Sequence, residues 1–177
     1  MSDTRPQSFS RKIPPGDELE RQVCDGCGWV HYENPKIVVG AVCTWEDKIL
    51  LCRRAIEPRS GFWTIPAGFL EENETPMHGA AREADEEATA KIEIDALLGI
   101  YTIPRISQVQ MMYRARLISP DVAPGIESLD VGLYDWDEIP WPELAFPTIT
   151  WALKHFREVD GRTDFAPFTN PEGHPLD

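Results

Sequence analysis

Blocks of apolar residues along this chain switch between two periods. Residues 36–45 (KIVVGAVCTW) are β-branched and apolar, the pattern of a buried strand. Glu46 and Asp47 turn the chain into a second strand at 48–54 (KILLCRR). Residues 91–103 read as strand, and 107–118 (SQVQMMYRARLI) alternate as a longer one. After a turn at 120–125 comes a strand at 129–136, then a short turn at 137–140. The helical period occurs twice. Thr75 before Pro76 opens a helix that runs to Ala88, with a capping hydroxyl followed by proline in the first turn. Pro147 opens a second helix over 148–159, with Ile149, Leu153, Phe156 and Val159 at helical spacing. Ahead of these elements, residues 24–35 read as a ribbon-like hairpin. Residues 1–12 are polar and expected to be mobile. The segment after Gly161 is rich in proline and glycine and is expected to lack regular structure. Strands on both sides of a central helix, with a closing helix, predict an α/β fold. Its expected form is an α/β/α sandwich with a mixed sheet, preceded by the small β-hairpin. The expected boundaries are an arm and hairpin at 1–35, a main domain at 36–160 and a tail at 161–177.

The first helix carries chemistry. Drawn at about 100° per residue with Glu83 at zero, Glu87 lies about 40° to one side and Glu86 about 60° to the other. Three carboxylates therefore share one arc. Met77, Ala81, Ala84 and Ala88 occupy the next arc and read as the core face, while Asp85 and His78 point away. A merely solvated acidic face would lie opposite the apolar stripe, whereas these glutamates lie beside it, where repulsion is poorly screened. Clustered carboxylates at such a rim suit a hard divalent cation, Mg²⁺ or Mn²⁺, which takes oxygen ligands. Gly79 clears space one turn before Glu83, and Arg82 is placed to orient a carboxylate.

The longer spacing is Gly68, five residues, Glu74, seven residues, then Arg82-Glu83-Ala84-Asp85-Glu86-Glu87. It resembles the Nudix box. One position departs, since Thr89 stands where that family usually has the glycine that ends the helix. The resemblance covers about residues 36–160 and implies the sandwich fold and a pyrophosphatase. It makes Glu83, Glu86 and Glu87 the metal ligands and catalytic acids, with Glu87 innermost. A backbone carbonyl of Ala67 or Gly68 joins them, and Glu74 pairs with Arg82. It also implies a homodimer.

Composition narrows this further. A net charge of −13 over 177 residues argues against nucleic-acid binding, which relies on Lys and Arg neutralising phosphates. A bound cation would still let an acidic protein hold an anionic small molecule. No run approaches the roughly 18 apolar residues of a membrane span, and the N-terminal stretch has no apolar segment of a secretory signal. A cytoplasmic protein with reduced thiols is expected. Cys24 and Cys27 form one Cys-x-x-Cys-Gly knuckle, similar to part of the zinc ribbon that precedes one Nudix subgroup. One knuckle supplies two ligands where a structural zinc takes four, and His31 falls in a strand, so zinc is not expected. Cys43 and Cys52 read as core residues.

Arg53 and Arg54 are candidate phosphate contacts, with a solvated loop as the alternative. Glu127 and Glu138 are loop acids that could reach the site. Trp63, Tyr101, Met111, Met112 and Tyr113 could stack on a base, or belong to the core. The sequences around the box resemble ribbon-containing hydrolases of FAD and ADP-ribose. The expected reaction is hydrolysis of a nucleoside diphosphate derivative to AMP and another monophosphate. The alternatives are NADH or nucleoside triphosphate hydrolysis, and a non-catalytic sensor. Sensors tend to lose box glutamates, and here all are present.

Overall fold

The computed structural model describes residues 8–173. The chain divides after Pro35 into two units. In the first, β1 (Phe9–Lys12) pairs antiparallel with β2 (Arg21–Cys24), and β2 with β3 (Val30–His31). The ribbon therefore gains a third strand from residues expected to be mobile. Its side chains are mostly exposed and polar, so no apolar alternation marks it. Backbone pairing with β2, an edge-on contact of Phe9 with Trp29 and a 2.6 Å hydrogen bond from Ser10 to Asp25 hold it. The rest of that expectation, residues 1–7, lies outside the described residues. Between β2 and β3, Gly28 adopts a positive φ of 75° and its N–H bonds the Cys24 carbonyl at 2.9 Å.

The second unit begins with β4 (Lys36–Trp45) and β5 (Lys48–Arg54). Then come β6 (Trp63–Thr64), β7 (Ala67–Phe69), α1 (Pro76–Ala88), β8 (Ile92–Ile103), β9 (Gln108–Leu117), β10 (Ser128–Tyr134) and α2 (Pro147–Glu158). The main strand order is β10-β5-β4-β9-β8, with β6 added to β5 and β7 to β4. β4 and β9 run parallel and the other pairs antiparallel, so the sheet is mixed. Alternate residues of each strand enter opposite cores. Val39, Ala41, Leu50, Cys52, Tyr113 and Ala115 pack with Ala80, Ala84 and Ala88 of α1. Val42, Leu51, Tyr101 and Met112 pack with Ile149, Leu153 and Phe156 of α2. This is the α/β/α sandwich. Cys43 and Cys52 are buried in the α1-side core, and burial pushes the Cys43 thiol up to about 12.

α1 is rotated from the wheel expected of it. Its buried residues are Gly79, Ala80, Glu83, Ala84, Glu87 and Ala88, while Met77 is 47% exposed. Glu83 and Glu87 thus face inward rather than beside the core. The helix offers almost only alanine to the sheet, and Gly79 lets it approach so closely that a Cβ there would meet both Glu74 and Val39.

Beyond α2 the chain runs without helix or extended strand along the free edge of β8. Phe168 donates to the Leu98 carbonyl at 2.9 Å and accepts from Ile100 N–H at 2.8 Å. The Asn170 side chain accepts from Thr102 N–H at 2.9 Å and donates to the Thr102 carbonyl at 2.8 Å. Phe168 also stacks on His155 at 4.1 Å. No helix among the described residues is long and apolar enough to cross a membrane.

Candidate active site

The site is built from β7, the turn after it, α1 and the loop before β10. Thr75 caps α1, its hydroxyl accepting from His78 N–H at 3.3 Å. That start fixes which side chains point back toward β7. Arg82 is the hub. Its Nε and Nη2 clamp Glu74 at 3.1 and 2.7 Å, Nη1 reaches Glu83 at 2.7 Å and Glu86 at 2.9 Å, and Nη2 also bonds the Phe69 carbonyl at 3.0 Å. Glu74 in turn accepts from Glu71 N–H at 2.8 Å, so the turn between β7 and α1 is tied to the helix. This is the Glu74–Arg82 pairing expected from the sequence. The guanidinium and the Glu71 amide hold Glu74 down to about 2.

Glu87 is the most buried of the three, at 5% exposure, and accepts from Ala67 N–H at 3.3 Å. Burial, then the charge of Glu83, pushes it up to about 8, against the opposing pull of the Ala67 amide and Arg54. Burial also raises Glu83, partly offset by Arg82. Glu86 is exposed. A Cβ at Gly68 would land on the Glu83 carboxylate, so the glycine keeps that carboxylate against β7. Gly68→Ala is therefore expected to leave the melting temperature within a few degrees of wild type and displace Glu83. Turnover should drop roughly tenfold or more; unchanged turnover would remove Glu83 from the reaction centre.

The loop from Ser119 to Glu127 packs on the end of α1. Gly125 N–H donates to the Glu87 carbonyl at 3.0 Å, and Ala123 N–H to the Ala88 carbonyl at 3.0 Å. A Cβ at Gly125 would fall on the Glu86 carbonyl oxygen. Glu127 is exposed, and its charge raises both Glu83 and Glu87. Thr89 ends the helix in the left-handed conformation, φ 49° and ψ 25°, with its N–H on the Asp85 carbonyl at 2.8 Å. A β-branched residue there costs about 1–2 kcal/mol relative to glycine.

Other candidates fall elsewhere. Arg53 Nε bonds the Gly61 carbonyl at 2.9 Å and Arg54 Nε the Pro58 carbonyl at 3.0 Å, which ties both to their own loop. Arg54 also lies over Phe146, and its charge reaches Glu87. Glu138 sits near Lys48 and Glu127 near Ala55, at opposite ends of the antiparallel β5–β10 pair. Glu138 is therefore remote from the carboxylates. Trp63, Tyr101, Met112 and Tyr113 are core residues. In the first unit, the Gly26 and Cys27 amides lower the Cys24 thiol. Among the described residues no three Cys, His, Asp or Glu side chains gather as a ready metal cage. At the glutamates, Arg82 lies among them and stands in for cationic charge. Their donors are all carboxylate oxygens, and burial together with the Glu83 charge resists ionisation of Glu87. This donor set fits a hard divalent ion.

A mixed-sheet sandwich that packs a carboxylate-bearing helix against a glycine turn is a Nudix architecture. Comparison with known proteins agrees. The NUDIX domain model matches residues 34–152, and a second model, the zinc-ribbon Nudix N-terminal family, matches residues 7–33. The chain belongs to the NUDIX hydrolase family. It is 46% identical to a NUDIX hydrolase from Nitrosomonas europaea, with a TM-score of 0.87 over 95% of this chain and 96% of that one. It is 28% identical over 119 residues to an ADP-ribose pyrophosphatase from Methanocaldococcus jannaschii, covering 65% of this chain and 69% of the relative. The NUDIX domain of Shewanella oneidensis NrtR, solved with ADP ribose, shares the fold. Its TM-score is 0.60 at 23% identity, over 72% of this chain and 89% of that one.

Proposed function

We propose that this hydrolase splits the diphosphate bond of a nucleoside diphosphate derivative, ADP-ribose or FAD, to AMP and a second monophosphate, with Mg²⁺ or Mn²⁺. The observation that carries the reading is the inward-facing pair Glu83 and Glu87, whose negative charge is incompletely met by Arg82. The relative named for ADP-ribose hydrolysis supports the substrate class.

Glu83, Glu86 and Glu87, with a backbone carbonyl of Ala67 or Gly68, are the groups that would hold the cation. When bound, it neutralises the diphosphate and lowers the pKa of a water. Arg82 holds Glu74, Glu83 and Glu86 in one array, so the carboxylates need little rearrangement before reaction. The Glu127 carboxylate, whose charge raises both Glu83 and Glu87, is the acid we assign to take a proton from the attacking water. Arg54 is the arginine whose charge reaches this centre and is the better placed of the pair to meet a substrate phosphate. A homodimer in the cytoplasm is part of the same reading.

The test is a product assay. The protein is incubated with Mg²⁺ and ADP-ribose, FAD, NADH or dNTPs, and products are resolved by chromatography. AMP from ADP-ribose or FAD is the expected result. Binding of these compounds without any product would support a sensor instead.

A further inference from the structure

Thr89 is strained where glycine would be relaxed, and its side chain is engaged. Its hydroxyl accepts from Ala123 N–H at 3.0 Å, and Oγ1 lies 3.4 Å from the Ala123 carbonyl, to which it can donate. It thus joins the end of α1 to a loop 34 residues further along the chain. The loop is held at three more points on the way to Glu127. The Ala123 N–H is shared with the Ala88 carbonyl at 3.0 Å, Gly125 N–H donates to the Glu87 carbonyl at 3.0 Å, and Ala55 N–H to the Glu127 carbonyl at 2.7 Å. Glycine at position 89 would end the helix without strain but would leave the Ala123 amide without its hydroxyl partner.

We infer that Thr89 is a positioning residue for hydrolysis, its hydroxyl latching to α1 the 119–127 loop that carries Glu127. The latch acts through Glu127 and does not touch substrate. This inference rests on the function proposed above.

Thr89→Gly, Thr89→Ser and Thr89→Val are compared with wild type by melting temperature, kcat and KM on the hydrolysed substrate, and amide exchange at Ala123 and Gly125. Thr89→Gly should keep or raise the melting temperature because it removes the backbone strain. Its kcat should nevertheless fall about tenfold with KM changed less than threefold, and the Ala123 amide, left with the Ala88 carbonyl alone, should exchange severalfold faster. Thr89→Ser should recover at least half of kcat, and Thr89→Val should not. In a Glu127→Gln background, Thr89→Gly should cost less than twofold more, because the group it positions is already removed. Wild-type kcat in Thr89→Gly would overturn the inference, as would a full additive loss in the double variant. Absence of any hydrolysis by wild type would instead fail the proposed function. The exchange rates would then still decide whether the latch exists.

Discussion

Glu87→Gln is expected to lose hydrolysis by roughly 10²- to 10³-fold while the loss of stability with rising pH becomes smaller. Both halves follow from one buried carboxyl. In the fold it sits near pH 8, against about 4.5 in the unfolded chain, because burial and Glu83 oppose its charge. A group raised in this way contributes its stability fully below the unfolded value and loses it as pH climbs through the folded one. Through this group alone, metal-free wild type should therefore weaken by about 4 kcal/mol between pH 4.5 and pH 9, a share of the slope that glutamine removes. Adding Mg²⁺ at pH 8 should raise the melting temperature of wild type, because the ion favours the ionised form, and leave the variant unmoved. Thermal unfolding at several pH values, with and without Mg²⁺, reads all of this. Wild-type turnover in the variant would remove Glu87 from the chemistry, and an unchanged pH slope would deny burial as the cause of its raised value.

Arg82→Ala should be the most damaging change to the scaffold of the site. It removes the partner of Glu74, Glu83 and Glu86 and the donor to the Phe69 carbonyl in one step. Glu83 is left buried beside Glu87 with no cation in contact. The arginine itself is 28% exposed, so the loss is expected near 2 kcal/mol rather than the larger figure of a fully buried pair. Turnover should fall about 10²-fold, because the carboxylates are no longer held in one array. Arg82→Lys should rescue little, since one ammonium cannot replace a planar fork that engages four partners. Urea denaturation beside kinetics separates the two effects, and a lysine variant with wild-type behaviour would sink the array as the reason for the arginine.

The five long strands β4, β5, β8, β9 and β10, both helices and the box are legible because their patterns are local. A β-branched run, a capped helix and a fixed spacing of glutamates each announce themselves within a few turns of chain. The inward rotation of α1 was not, since a helix offering alanines to the sheet leaves the centre of its buried face ambiguous. Met77 looked inward by type, yet it is the alanine–glutamate face that the sheet admits. Glu127 and Glu138 looked equivalent until the antiparallel pairing of β5 with β10 put them at opposite ends. β1 escaped because backbone pairing holds it without an apolar face. Thr89 was visible only as a departure from a motif; the Ala123 contact that gives it a role lies far away in sequence.

The strap along β8 sets an order of events during synthesis. β8 is an outer strand whose free edge is covered by Phe168 and Asn170. Asn170 follows its partner Thr102 by 68 residues. At about 5–20 residues per second, a ribosome takes roughly 3 to 14 s to deliver that cover. For that interval the nascent chain presents a bare row of backbone donors and acceptors, an invitation to pair with any neighbouring strand on the same message. The strap reaches β8 well after the strand itself is made, and its arrival is what covers that edge.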